Sequence, residues 1–343
     1  YYIREVKASA GYYLCRGKSD DGADSGGIHT VKVDPGKTVI LSCMEVPASY
    51  DPAVSVKKLD AVSGSDSVSG AGSLKGAVFE MDYYANTEGK TSGTSVKTWT
   101  YETNEKGELS ISGKAYPIGT YTIKEVSASK YYKLEGQICF KGENEKKDIG
   151  SGVMFTVKAD ADNAAAKVLL SGSRALSGDV AVEAYEEPYK GKITVIKKDS
   201  QTGSGISNVI FRLKSQDGKK VYEKKTGSDG SCEFSDLPTG SYILTETASD
   251  KTHQLLKDSI DIRLPIEMTE AELKQSGADK NKAVWDEKEK TYCFYEQTIT
   301  VSDGTDFEVP MTGGNNHLLF VGSAFAVLLI GAGLILRKKS FLI

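Results

Sequence analysis

Acid–base residues recur at matching strand positions along this 343-residue chain. The stretches "VSVKKLDAVSG", from Val54, and "ITVIKKDSQTG", from Ile193, alternate apolar residues with a lysine, so that Val54, Val56 and Lys58 share one parity, as do Ile193, Val195 and Lys197. Successive side chains of a strand point to opposite faces, which turns Lys58 and Lys197 inward and leaves Lys57 and Lys198 in solvent. In "YTIKEVSASKYYKL" and "YILTETASDKTHQL" the same parity joins Ile123 to Glu125 and Leu244 to Glu246. A third inward position closes each repeat: Leu41, Cys43 and Glu45; Val182, Ala184 and Glu186; Ile299, Val301 and Asp303. A charge on an apolar face is costly unless paired, so each lysine and its two acids must neutralise one another out of water. A single lysine or glutamate of this kind is ordinarily a solvated strand-edge charge. Joint parity across three strands, repeated, argues otherwise.

The elements that must position these groups are legible as repeats. Aligned on their glutamates, "YYIREVKASAGYYL" and the two later stretches share an aromatic-x-apolar-x-Glu core: Tyr1, Ile3, Glu5; Tyr121, Ile123, Glu125; Tyr242, Leu244, Glu246. The spacing of about 120 residues is far beyond a solenoid or propeller unit, so each copy marks a whole domain. A Pro-x-Gly-x-Tyr approach precedes the later two copies, with Pro117 and Gly119 matched by Pro238 and Gly240. Nothing like it precedes Tyr1. The first copy therefore reads as the rear half of a domain whose front, with any signal peptide, lies upstream.

Short alternating runs separated by "QDGKK", "NEKGE" and "GSDGS" predict an antiparallel all-β chain. One helix is expected at "MTEAELKQSG", with Thr269 and Glu272 as a capping box and Gly277 as its stop. Inserts at 160–177 and 251–290 read as loops on the sandwich edges. A net charge of −4 without a basic aromatic cluster points away from nucleic acid. Of five cysteines, Cys15 could pair with Cys43 and Cys232 with Cys293, leaving Cys139; buried thiols throughout are the equal alternative. Three histidines and no Cys-x-x-Cys predict no metal cluster and no cofactor, and "SDDGADSGG" and "KADADNAAA" complete no calcium loop.

The C-terminus sets the location. From Leu318 to Leu336 the chain carries no charge, enough for one transmembrane helix over 318–336, and Arg337, Lys338 and Lys339 follow on the cytoplasmic side. Just ahead stand Val309, Pro310, Met311, Thr312 and Gly313. This order resembles the Leu-Pro-x-Thr-Gly sorting signal of Gram-positive surface proteins, with valine in place of leucine. The resemblance implies that a sortase thiolate attacks the Thr312 carbonyl, releases Gly313 onward, and passes the acyl group to a peptidoglycan precursor or to another pilin. The chain is then a substrate, and before sorting a single-pass membrane protein.

The Lys-x-Asp of the opening strand (Lys58 with Asp60, Lys197 with Asp199), the Pro-x-Gly-x-Tyr approach and the glutamate box together resemble the CnaB-type, SpaA-like pilin domains of Gram-positive adhesins. The resemblance implies all-β architecture: tandem prealbumin-like β-sandwiches, followed by the transmembrane helix. The expected domains are 1–53 (a rear half), 54–190, 191–308, and the sorting signal 309–343. It also implies an intramolecular isopeptide bond between the lysine and an Asn or Asp of the last strand, assisted by the box glutamate. Burial favours the neutral amine and neutral acid that this condensation needs. The last domain qualifies through Lys197, Glu246 and Asp303. The middle domain has Lys58 and Glu125, but Glu186 stands where Asn or Asp is usual; its extra methylene displaces the carbonyl, so a buried ion pair is expected there. The implied function is a cell-wall-anchored stalk of an adhesin or pilus, the alternative being a polymerising pilin subunit. No Ser-His-Asp set, Cys-His pair or phosphate loop supports an enzyme.

Overall fold

The computed structural model describes residues 1–6, 12–13, 28–41, 46–47, 49–50, 53–112, 116–159, 166–170, 174–176, 179–249, 253, 255–303 and 328–329. The chain forms two compact units, Tyr1–Val68 with Gly72–Pro188, and Ser69–Ala71 with Tyr189–Ile343.

In the first unit, one sheet runs in the order Lys147–Asp148, Tyr132–Phe140, Val180–Pro188, Val54–Asp60, Glu108–Ile111. The other runs Arg174–Leu176, Ala166–Leu170, Val153–Ala159, Gly119–Ser127, Val78–Tyr84, Lys97–Glu102. Alternation along these strands turns Val54, Val56, Val180 and Val182 of the first sheet and Phe79, Met81, Tyr121, Ile123 and Phe155 of the second into one shared core.

The second unit repeats the plan. Ser231–Pro238, Lys190–Asp199, Glu296–Asp303 and Leu328–Leu329 form one sheet; Val221–Lys225, Ile210–Ser215, Gly240–Ala248 and Ile260–Leu264 form the other. Ile193, Val195, Phe211, Leu213, Leu244, Ile299 and Val301 fill the space between.

Three features recur in both units. The opening strand (Val54–Asp60 or Lys190–Asp199) lies parallel to the closing strand (Val180–Pro188 or Glu296–Asp303), beginning and end of each sandwich side by side. The strand that carries the glutamate slips register just past it, between Glu125 and Ser127 and between Glu246 and Ala248, a bulge of the kind that re-aims side chains. The Pro-x-Gly-x-Tyr segment turns into that strand, the tyrosine hydroxyl donating back to the proline carbonyl: Tyr121 to Pro117 at 2.8 Å and Tyr242 to Pro238 at 2.6 Å. Gly119, at φ +155°, is required there because a Cβ would fall 2.6 Å from the Tyr84 carbonyl oxygen.

Several expectations are corrected. The inserts are not plain loops: Ala166–Leu170 and Arg174–Leu176 extend the six-stranded sheet, and Ile260–Leu264 edges the second unit's sheet. A further three-stranded sheet of Ile266–Met268, Thr291–Phe294 and Val284–Asp286 carries the helix Glu270–Ser276. Within these inserts Ile260, Ile262 and Leu264 alternate inward, a pattern that burial converts into a strand. The helix itself forms with the Thr269–Glu272 capping box and a left-handed Gly277, as its sequence predicts.

The N-terminal copy pairs Tyr2–Arg4 with Ile28–Thr30, yet Tyr1 and Ile3 are 81% and 49% exposed, and Leu41 is exposed rather than inward. Glu45 and Cys43 lie outside the described residues, as do Cys15 and Val309–Gly313. Among the described residues no helix is long and apolar enough to cross a membrane. Of the expected 318–336 span only Leu328–Leu329 is described, as a short strand pairing with Thr300 and Ile299, where the sheet edge offers unpaired backbone groups.

Candidate functional site: two buried lysine–carboxylate trios

In the first unit Lys58 of the opening strand lies opposite Ala184, which places Glu186, two residues on, beside the lysine head. Glu125 arrives from the facing sheet. Lys58 Nζ donates to Glu125 Oε1 at 2.9 Å and contacts Glu186 Oε2 directly, and the side chains of all three are fully shielded from water. Ser129 Oγ donates to Glu186 Oε2 at 3.2 Å, and the Lys58 ammonium stands 5.5 Å from the Tyr132 ring centre, a cation–π distance. Gly136 faces Glu186 across the next strand pair; a Cβ there would come 3.1 Å from the Glu186 Cα. The trio is a buried ion cluster.

The second unit repeats the geometry with a shorter acid. Lys197 lies opposite Val301 and Asp199 opposite Asp303. Lys197 Nζ donates to Glu246 Oε2 and to Asp303 Oδ2, both at 2.7 Å, with side-chain exposures of 0%, 0% and 2%. Leu256 N–H also donates to Glu246 Oε2, at 3.2 Å. Among the described residues, Glu186 Oε1 and Glu246 Oε1 are buried without a donor. Each site thus sets two carboxyl groups against one amine in a dry core.

The sequence shows the acid two residues beyond each lysine as part of the Lys-x-Asp motif, but not its role. Asp60 and Asp199 are also buried and end their strands as turn caps. Asp60 Oδ1 accepts from Val62 and Ser63 N–H at 2.9 and 2.8 Å. Asp199 Oδ1 accepts from Gln201 and Thr202 N–H at 2.9 and 2.7 Å. The second oxygen takes a ring from elsewhere: Tyr132 OH at 2.7 Å on Asp60, His253 Nε2 at 3.0 Å on Asp199. These donors, Thr202 N–H foremost and His253 next, hold the Asp199 carboxyl well below the usual range. The available signal was the repeated Asp-x-x-Ser-Gly and Asp-x-x-Thr-Gly after each lysine pair, whose glycines Gly64 and Gly203 adopt φ of +65° and +72°.

Elsewhere the chemistry is quiet. Cys232 and Cys293 are buried and not joined by a disulfide: Cys232 lies in the sandwich core, Cys293 on the appended sheet. Cys139 is buried as well, and burial pushes the Cys232 thiol up to about 11. Among the described residues no group of His, Cys, Asp and Glu could hold a metal ion.

The sequence matches the SpaA prealbumin-like fold domain family over residues 53–152 and 191–277. The chain belongs to that family. Lys58, Glu125, Lys197 and Glu246 lie within the matched segments, while Glu186 and Asp303 lie beyond them, so their assignment rests on strand register. The chain is 33% identical over 79 residues to the collagen adhesin of Staphylococcus aureus, a match spanning 21% of this chain and 7% of that protein. Similar solved structures include the TIE protein of Bacillus anthracis, at 19% identity, TM-score 0.45, 76% of this chain and 38% of that one. A C-terminal fragment of the pilus adhesin SpaC from Lactobacillus rhamnosus GG gives 17% identity, TM-score 0.40, 76% of this chain and all of the fragment.

Proposed function

We propose that this chain is the load-bearing stalk of a wall-anchored adhesin or pilus protein, with no catalytic turnover. The observation that carries this reading is the dry contact of Lys197 Nζ with both Glu246 Oε2 and Asp303 Oδ2 in a SpaA-family sandwich. Neutral Lys197 amine attacks the Asp303 carboxyl carbon while protonated Glu246 polarises its oxygen. The amine loses a proton, the carboxyl hydroxyl takes one and leaves as water, and an amide remains. That bond joins the opening strand to the closing strand, so tension between the ends of the domain meets a covalent link before any hydrogen bond. In the middle domain the Lys58, Glu125 and Glu186 ion cluster ties the same two strands without a covalent bond.

Attachment is proposed from the sequence. The Val309–Gly313 motif, the uncharged run 318–336 and the basic residues Arg337–Lys339 suit cleavage after Thr312 by a sortase and transfer to peptidoglycan precursor or to another pilin. Leu328–Leu329 pair at a sheet edge, whereas in hydrocarbon a single uncharged segment satisfies its backbone only as a helix. The test is an immunoblot of muramidase-solubilised walls with antibody to residues 191–308. A single wall-linked species supports the monomeric stalk, and a detergent-resistant ladder moves the reading to a polymerising pilin. Signal confined to the membrane overturns the sorting step.

A further inference from the structure

We infer that His253 is a positioning residue for the Lys197–Asp303 condensation, acting through a strap that follows the glutamate strand; this rests on the covalent reading above. The two units solve the same problem differently. In the first, the chain leaving the glutamate strand passes Ser129, which holds Glu186, and enters Tyr132–Phe140, a strand paired along the closing strand with Gly136 opposite Glu186. Tyr132 OH fixes the second oxygen of Asp60. The closing strand and the turn cap are held by one regular element, and the acid by the Ser129 that leads into it.

The second unit has no such strand beside Asp303 among the described residues; Asp303 pairs with the opening strand alone. Its holding contacts come from residues 253 and 256. His253 Nε2 binds Asp199 Oδ2 at 3.0 Å with the ring only 10% exposed, and Leu256 N–H binds Glu246 Oε2 at 3.2 Å while its side chain packs on the core. This matters because Asp199 is a third acid beside the site, on the same strand face as Lys197 and opposite Asp303. Tied by His253, it is kept as a turn cap and does not compete for the amine. The same anchor fixes the segment whose Leu256 amide orients Glu246. His253 thereby selects Asp303 as the acid that Lys197 meets, acting through Asp199.

The test follows bond formation in freshly synthesised full chain, by the appearance of the branched Lys197–Asp303 peptide in tandem mass spectrometry. His253→Phe removes the donor and should slow the reaction by about ten-fold or more, the scale expected for a misplaced reacting group. His253→Gln keeps an N–H at similar reach and should restore a rate near that of the parent. His253→Asn, polar but too short, should behave like the phenylalanine variant and serves if that variant does not fold. Unaltered rates in His253→Phe or His253→Asn overturn the inference while leaving the covalent reading intact. A parent chain that never forms the branched peptide overturns both.

Discussion

Lys197 and Asp303 sit on adjacent parallel strands two residues out of step, and this offset, not direct pairing, brings Nζ to 2.7 Å from Oδ2. The same offset relates Lys58 to Glu186. A residue directly opposite on a parallel strand shares the face but spends its side chain on the core, as Val301 and Ala184 do. The acid one pleat further lets the long lysine lean along the strand and reach it. Glu246 then enters from the facing sheet, so the trio forms only when both sheets have packed.

It follows that removing Glu246 should stop the condensation without removing either bond partner. Intact-mass measurement of the parent chain is expected to give a mass one water below that of its sequence, and Glu246→Ala is expected to regain that water. The link closes a loop between residues 106 apart. By the loop-entropy account a constraint of that length contributes about 4–5 kcal/mol, so the second unit of the variant should melt well below the parent. A parent mass equal to that of the sequence would falsify the bond.

In the first unit the test concerns charge. Lys58→Met leaves Glu125 and Glu186 buried without their shared cation, a change expected to cost about 3–5 kcal/mol. The double variant Lys58→Met, Glu186→Leu removes one of the stranded acids and should recover part of that loss. Denaturant melts of the three proteins decide it. Equal stability of all three would mean that water reaches the cluster.

How far this was readable in the sequence depended on how local the signal was. Alternation in "ITVIKKD" and in "YILTE" reveals which side of a strand is dry, because period-two burial is written residue by residue. Lys197 and Glu246 are indeed enclosed. Register between distant strands is not so written, and the two-residue offset emerged only from the fold. The His253 contact with Asp199 belongs to the same class, since the sequence around it carries no periodicity. The segment 251–290 misled for a related reason: its strands are short, and Ile266, Glu267 and Met268 pair with Phe294, Cys293 and Tyr292 across a helix that interrupts the pattern.

Acid should reveal the turn cap. Thr202 N–H and then His253 hold Asp199 below the ordinary carboxylate range, so its folded-state value lies below its unfolded one. Its contribution is therefore complete above the unfolded value of about 4 and disappears as the pH falls through the folded value. The melting-temperature gap between the parent and Asp199→Asn should close progressively as the pH falls below about 4. A gap that widens on acidification would contradict the assignment.

The tyrosine turns offer a paired measurement. Burial drives the hydroxyls of Tyr121 and Tyr242 far above the usual phenol range, and each donates to its proline carbonyl. Both should stay protonated in an absorbance titration until the fold itself is lost in base. Tyr121→Phe and Tyr242→Phe should each cost about 1 kcal/mol, the ordinary net worth of a hydrogen bond. Losses near zero would show that ring packing alone makes the turn.

The last prediction exchanges the acids. Glu186 occupies the same register position as Asp303, with the same glutamate opposite and the same buried lysine, and differs by one methylene. If that methylene is what keeps the first unit an ion cluster, Glu186→Asp should convert it into a second condensing site. The variant chain is then expected to lose one more water than the parent, with a new branched peptide joining Lys58 to residue 186. Adding Glu125→Ala should abolish the second loss only, because the box glutamate of each unit serves its own lysine. Finding the extra loss already in the parent would show that the longer acid condenses as well, and that side-chain length does not set the boundary between an ionic and a covalent domain.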